Sequence, residues 1–383
     1  MNTAHKTDDE KKEFFDSPKE LEEKVNILVD MIKRSEHFVA FTGAGISTST
    51  GIPDFRSGIN TVLPTGPGAW EKLAQKTGSS KSNVKVSMSK AIPSPTHMSL
   101  VELQRQGYLK FLISQNVDGL HRRSGFSTYH LAELHGNTNL EKCQKCGKEY
   151  MRDFRVRTAQ QVHDHKTGRK CDNQQCNGDL YDSIINFGEN LPEKDQDDGF
   201  VHSQLADLHL VLGSSLRVTP AADMPETTAK LGKNLVIVNL QKTPLDSLAT
   251  LRINAMCDDV MKMVMKKLKI EIPEFILERR IVLQKGDKNS LLVSAEDSNE
   301  SPYEIYKKVT IEYGKANEAK QKAPFNFTPK QNQFTVSLGF YEHYGEQEFK
   351  LDVDMIALPL NKKVVYQIQY QVSLQKWISC KQI

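Results

Sequence analysis

Several groups of residues in this chain have types and spacings suited to chemistry. "QNVDGLH" runs from Gln115 to His121, and fourteen residues past its histidine "ELHGN" carries another, His135. An apolar run from Tyr108 to Ser114 leads into the first cluster. Gln115, Asn116, Asp118 and His121 therefore stand where a buried strand ends. "TGAGISTSTGIPDFR" (Thr42 to Arg56) follows another apolar run. Glycines there let a backbone turn tightly and approach a phosphate, with free N–H groups of a following helix pointing at it. Gly43 and Gly45 match the dinucleotide fingerprint, but Ser47-Thr48 occupies the place of a third glycine. A plain strand-to-helix turn is the alternative. Two further strand ends carry Gly213-Ser214-Ser215 and Asn239 with Gln241. Ligands bind at such carboxyl ends in open α/β sheets, and Asn239 suits a ribose hydroxyl. Small and polar residues at four strand ends favour nucleotide binding over packing alone.

Cys143-x2-Cys146, then 24 residues, then Cys171-x4-Cys176 present two close thiol pairs, while Cys257 and Cys380 stand apart. Paired cysteines in a reducing compartment read as metal ligands before disulfides. Four thiolates fill the coordination shell of Zn2+ and leave no open position, so the ion is expected to be structural. His163 and His165 lie between the pairs as alternative ligands.

These groups need elements to hold them. "SPKE" starts a helix, with Ser17 as N-cap, Pro18 at the first helical position and Glu20 completing a capping box. Leu21, Val25, Leu28 and Ile32 then form one apolar stripe. The runs "HFVAFT", "YLKFLIS", "LHLVLGSSL" and "NLVIVNL" suit parallel strands covered on both faces. Helical segments such as "SPTHMSLVELQRQG" separate them. The alternation predicts an α/β fold, a Rossmann-like doubly wound parallel sheet. A polar, cysteine-bearing region over 137–182 interrupts it and is too rich in Lys, Asp and Gln for another sheet layer. Residues 1–16 read as a flexible tail, 17–274 as the site-bearing domain with the zinc module inserted, and 275–383 as a separate, mostly β domain. In that last part the period of two predicts antiparallel strands with one solvated face; no chemical motif stands out there.

The chain has 383 residues, 38% hydrophobic and 26% charged, with a net charge of +3. This is ordinary globular composition, room for about two domains by the usual ~100–200 residues each. The charge is too small to argue for nucleic-acid binding. No stretch reaches the ~18 apolar residues of a membrane span, and no signal-peptide core is present. An intracellular protein without membrane contact is the expectation.

Taken together, "GAGIS", "GIPDFR", "QNVDGLH", "ELHGN", the four cysteines, "GSSL" and "VIVNL" resemble the sirtuin family, the NAD-dependent protein deacylases, over roughly residues 20–270. Longer phrases such as "THMSLVELQRQGYLKFLISQNVDGLHRRSGF" look most similar to its class IV, chromatin-associated branch. The resemblance implies a Rossmann-type domain with a small zinc-bearing domain. It implies NAD contacts at Ala44, Thr48, Phe55, Arg56, Trp70, Gln115, His135, Gly213, Ser215, Asn239, Gln241 and the Cys257 segment. Asn116 and Asp118 would face the nicotinamide end, and Phe187 of "NFGE" would help form the acyl-lysine channel. The loop Ser57 to Trp70 is longer than the class IV pattern, "NFGE" is nearer the general family form, and the C-terminal β domain lies outside the family core.

The implied reaction removes an acyl group from protein lysine, histone tails included, and yields nicotinamide and O-acyl-ADP-ribose. It needs a base neutral near pH 7, which suits histidine. His97 and His130 stand without polar company. His121 falls inside the helix after the strand, where its ring would hold the loop. His135 precedes the zinc module, at a junction of domains where substrates bind, and is the expected base. Asp118 would accept the N–H donors of the leaving amide, or cap the next helix. A mono-ADP-ribosyltransferase and a non-catalytic NAD-sensing scaffold are the competing functions. The resemblance implies a nuclear location; otherwise the protein would be cytoplasmic.

Overall fold

In the computed structural model, which describes residues 11–58, 60–69, 88–173 and 175–383, the apolar runs become neighbours in one sheet. Its strands are β1 (Phe38–Thr42), β2 (Leu109–Ser114), β3 (Leu131–Glu133), β4 (Leu208–Leu212), β5 (Asn234–Val238) and β6 (Leu251–Ile253). They are ordered β3-β2-β1-β4-β5-β6, and every pairing is parallel. This is the strand order of the dinucleotide-binding doubly wound fold, which reverses between β1 and β4 and opens a crevice there.

The side-chain period of two divides each strand between two cores. Phe38, Ala40, Leu210, Leu212, Val236 and Val238 pack with Leu28 and Ile32 of α1 (Pro18–Arg34), Leu100 of α2 (Pro95–Arg105) and Val260 of α6 (Cys257–Leu268). Val39, Phe41, Val211, Leu235 and Ile237 face the other way, with Phe200 of α4 (Glu193–Leu205) and Met224 of α5 (Asp223–Lys230). Between β2 and β3 lie a short α-helix, α3 (Leu120–Arg123), and a 3-10 turn, Thr128–His130. The capping box of α1 is formed: Glu20 N–H donates to Ser17 Oγ at 3.3 Å and Ser17 N–H to Glu20 Oε2 at 2.9 Å.

The chain divides into two compact units, one comprising residues up to Asn137 with Ile184–Glu274, the other Thr138–Ser183 with Phe275–Ile383. The parallel sheet belongs to the first. Its N-terminal segment is not loose over residues 13–16. Phe14 N–H donates to Leu240 O at 3.0 Å, Asp16 N–H to Asn254 O at 2.8 Å, and Asp16 pairs with Lys24 at 2.7 Å.

The cysteine-bearing region, expected to be too polar for another sheet layer, adds no strand to the parallel sheet and forms a small sheet of its own in the second unit. Leu140–Cys143, Glu149–Arg152, Lys166–Lys170 and Asp179–Asp182 form a small sheet with Tyr303–Glu304 at one edge. Polar composition permits it because these strands are short, only partly buried and laced by ion pairs: Arg152 and Arg169 both reach Glu141 at 2.8 Å. Apart from Tyr303–Glu304, which pairs in parallel with Glu149–Arg152, the strands of residues 275–383 pair antiparallel, as their alternation predicts. A five-stranded and a four-stranded sheet share one core of Ile281, Leu283 and Val293 against Val309, Ile311 and Val336.

Candidate active site and metal centre

The C-terminal ends of β1, β2, β4 and β5 carry the residues singled out by type. Gly43 N–H donates to Leu212 O at 3.0 Å, Gly45 N–H to Gly213 O at 2.9 Å and Gly213 N–H to Val238 O at 2.9 Å. These bonds stitch the strand ends together where the order reverses. A Cβ on Gly43 would lie 2.6 Å from Gly213 O, and one on Gly45 2.7 Å from Gly213 Cα. The loop does not open an α-helix as expected. Two 3-10 turns, Ala44–Ile46 and Thr48–Thr50, follow instead, because hydroxyls compete for the backbone: Thr48 Oγ1 donates to Gly45 O and Thr50 Oγ1 to Ser47 O.

β2 delivers Gln115, Asn116 and Asp118 to the same place. Asn116 Nδ2 donates to Gly43 O at 3.1 Å, and Ser214 Oγ donates to Gln115 Oε1 at 2.7 Å. Both oxygens of Asp118 are engaged, Oδ1 by Leu120 N–H at 2.9 Å and Oδ2 by Ser47 Oγ at 2.7 Å. Asp118 thus caps α3 and anchors the glycine loop. Arg123 donates to Asp118 O at 2.6 Å and Met88 O at 2.8 Å, holding the residues after 87 to this loop.

The two histidines separate cleanly. His121 is buried and its Nε2 lies 2.9 Å from Thr42 Oγ1. Burial, with His97 nearby, pushes its pKa down to about 3, so it stays neutral and structural. His135 is half-buried, with Nδ1 3.0 Å from Gln115 O. A carbonyl accepts only, so Nδ1 carries the proton and Nε2 keeps its lone pair. Burial lowers the His135 pKa, the Gln115 hydrogen bond opposes this, and Arg56 adds to the lowering. Glu133 sets the loop: it accepts from Arg122 Nε at 2.7 Å and Asn137 Nδ2 at 2.9 Å. His97 is not without polar company, correcting the sequence reading. Its Nδ1 lies 2.8 Å from Ser94 Oγ in the capping box of α2. His130 is exposed, with Nδ1 3.1 Å from Lys110 O.

Among the remaining positions, Thr48 is buried and Ala44 and Ser215 are half-buried at the glycine crevice. Asn239 Nδ2 donates to Gln241 O at 2.9 Å, and Gln241 Nε2 to Lys11 O at 3.2 Å. Cys257 is buried at the start of α6, its thiol pKa pushed up by burial. Phe55 is exposed, and Arg56 is held to a pKa of about 10 by burial and by the like charge of Arg217. The loop behind them closes on itself through Gly68 N–H to Ser57 O at 2.9 Å and Ala69 N–H to Asp54 O at 2.9 Å. Trp70 lies outside the described residues. Phe187 is exposed, two residues beyond Ile185, whose N–H donates to His135 O at 3.1 Å. Arg123 and Arg217 were not singled out by sequence reasoning. Only Arg217, a cation just past "GSSL", carried any signal.

In the second unit the four cysteine sulfurs lie within 4.8 Å of one another. Cys143–Cys176 and Cys146–Cys171 separations are 3.6 and 3.7 Å, and all four thiols are free. A tetrahedral ion with Zn–S bonds of about 2.3 Å sets its sulfurs about 3.8 Å apart, so this donor set fits one zinc. Among the described residues no histidine joins the group; His165 Nδ1 lies 3.1 Å from Asp182 Oδ1 instead.

Comparison with known proteins agrees with this architecture. Residues 43–220 match the Sir2 family. The NAD-dependent protein deacetylase SRT1 of Arabidopsis thaliana is 45% identical over 69% of this chain and 53% of its own length. The NAD-dependent protein deacetylase Sirt6 of Drosophila melanogaster is 40% identical over 69% of this chain and 81% of its own. The human sirtuin-7 is 38% identical over 69% and 64%. A Sir2 structure holding a deacetylated p53 peptide and 3'-O-acetyl ADP-ribose superposes with a TM-score of 0.50 at 32% identity, covering 65% of this chain and all of that one. The chain spans about half the length of the SRT1 relatives it matches. The matched lengths, the strand order and the cysteine cluster agree: the chain belongs to the Sir2 family, the sirtuins.

Proposed function

We propose that the protein is an NAD-dependent protein-lysine deacylase acting on acylated histone tails, nuclear and chromatin-associated by its likeness to the class IV branch. The observation that carries this reading is the state of His135. Its Nδ1–H is fixed on Gln115 O, its ring is kept neutral by burial, and its Nε2 remains basic at the strand ends where a nucleotide binds. The donor set fits NAD. Arg56 and Arg217, from the loops that follow β1 and β4, bring two positive charges near each other, which a pyrophosphate would offset. Bound NAD supplies a ribose carbon from which nicotinamide leaves and a hydroxyl that takes up the acyl group. Gln115 and Asn239 would orient the sugars; Asn116 and Asp118 would face the amide of nicotinamide; Phe187 would flank the acyl-lysine. His135 Nε2 would take the hydroxyl proton. The four cysteines would hold one zinc with no open position, so the ion organises the module rather than reacting.

The test is an acetylated histone-tail peptide incubated with NAD and followed by mass spectrometry. Deacetylated peptide, nicotinamide and O-acetyl-ADP-ribose are expected in equal amounts, and His135→Ala should lose at least about 100-fold, the usual scale of a general base. ADP-ribose left on protein without deacetylation, or near wild-type turnover by His135→Ala, overturns the reading.

A further inference from the structure

The geometry points to residues 275–383 as the intramolecular support of the zinc module, so that metal retention and folding of the β sandwich are one coupled equilibrium. The module's sheet has its edge strand Glu149–Arg152 paired with Tyr303–Glu304 from the C-terminal region, in register Tyr303 with Met151 and Glu304 with Arg152. Met151 N–H donates to Pro302 O and Asp153 N–H to Glu304 O, each at 2.9 Å. An edge that would otherwise present open donors is therefore covered.

A buried charge locks this junction. In Ile276–Lys285 the side-chain period places Arg279 on the same face as the core residues Leu277, Ile281 and Leu283. Its guanidinium reaches across to Asp153 Oδ2 at 2.7 Å and to Glu346 Oε1 at 3.3 Å. All three side chains are nearly inaccessible, at 2–6% or less. Burying such charges is tolerable only with their partners in place. His343 Nε2 adds a 2.5 Å contact to Asp153 O, and Arg152 Nη1 pairs with Glu304 at 2.8 Å.

The same edge strand touches the metal centre from its other side. Tyr150, buried within Glu149–Arg152, packs with Cys143 and Cys171, and its hydroxyl lies 3.1 Å from Cys171 Sγ. Zinc bound to the cysteines and the docked C-terminal region both fix this strand. By linkage each stabilises the other reciprocally.

The test is hydrogen exchange on the full-length, zinc-loaded protein before and after chelation with EDTA. Loss of zinc should raise exchange in 149–152 and also in 276–285 and 302–306, while 38–42 and 208–212 stay protected. Unchanged exchange over 276–285 and 302–306 after zinc loss overturns the inference, and needs no variant to fold. Glu304→Gln, at a partly exposed pair, should speed zinc release to a colorimetric chelator by about two- to fivefold, and Arg279→Met by more. A wild-type release rate in Glu304→Gln also overturns it.

Discussion

At Gly43 the missing Cβ is what lets two strand ends lie side by side. An alanine there would set its Cβ 2.6 Å from Gly213 O and 2.8 Å from Ser214 Cα, backbone atoms that have no room to yield. The glycines legible as a phosphate loop are thus demanded first by the meeting of β1 and β4. Gly43→Ala should cost about 1–3 kcal/mol, the usual scale of overpacking, and lower the melting temperature by several degrees. Gly58→Ala, whose Cβ meets only the flexible Lys11 side chain at 3.3 Å, is the control. Equal melting temperatures for the two variants would refute the packing account. The histidines illustrate the same point about what residue types reveal. The sequence separates His121 from His135 by position in the chain. The physical reason lies in partners: a hydroxyl of β1 for His121, a carbonyl acceptor for His135.

Elements whose signal is local were legible. The capping box at Ser17, the helix from Pro95 and the unbroken apolar runs each carry their own periodicity, and the parallel sheet follows from their alternation. Elements that depend on distant partners were not. The strands of the cysteine region alternate weakly and are held by four sulfurs, by arginines on Glu141 and by an edge strand about 150 residues further along the chain. The turn that brings the second cysteine pair back illustrates the dependence. A Cβ on Gly178 would lie 2.8 Å from Cys143 Sγ and 3.4 Å from Cys176 Sγ. Gly178→Ala should therefore push sulfur off its ligating position and lower zinc content, measured per chain by atomic emission. A full zinc complement in that variant, released no faster than from the parent, would show that the turn can give way.

On the scale of the whole molecule, the parallel-sheet unit stores a sensitivity to acid that no single motif announces. His97, His121 and His209 are each buried within it, with pKa values pushed down to about 3 chiefly by that burial. In the unfolded chain the same groups titrate near 6.5. Between those values the unfolded state binds protons that the folded state refuses, so stability is fully present above about pH 6.5 and falls as pH drops towards 3. Each histidine contributes about 1.4 kcal/mol per pH unit once well below its unfolded value, and three together about 4. Typical domain stabilities are about 5–15 kcal/mol, so acid unfolding of this unit should have its midpoint between about pH 3 and about pH 5.5. Urea melts at pH 7, 6 and 5 would measure the slope. His209 offers the clean variant, because its Nδ1 meets Thr228 Oγ1 at 2.9 Å and an asparagine can make the same donation. His209→Asn should remove one proton from the dependence, flattening the slope by about 1.4 kcal/mol per pH unit while leaving the fold at pH 7 intact. A slope between pH 6 and 5 identical in parent and variant would show that His209 already takes up its proton in the folded chain.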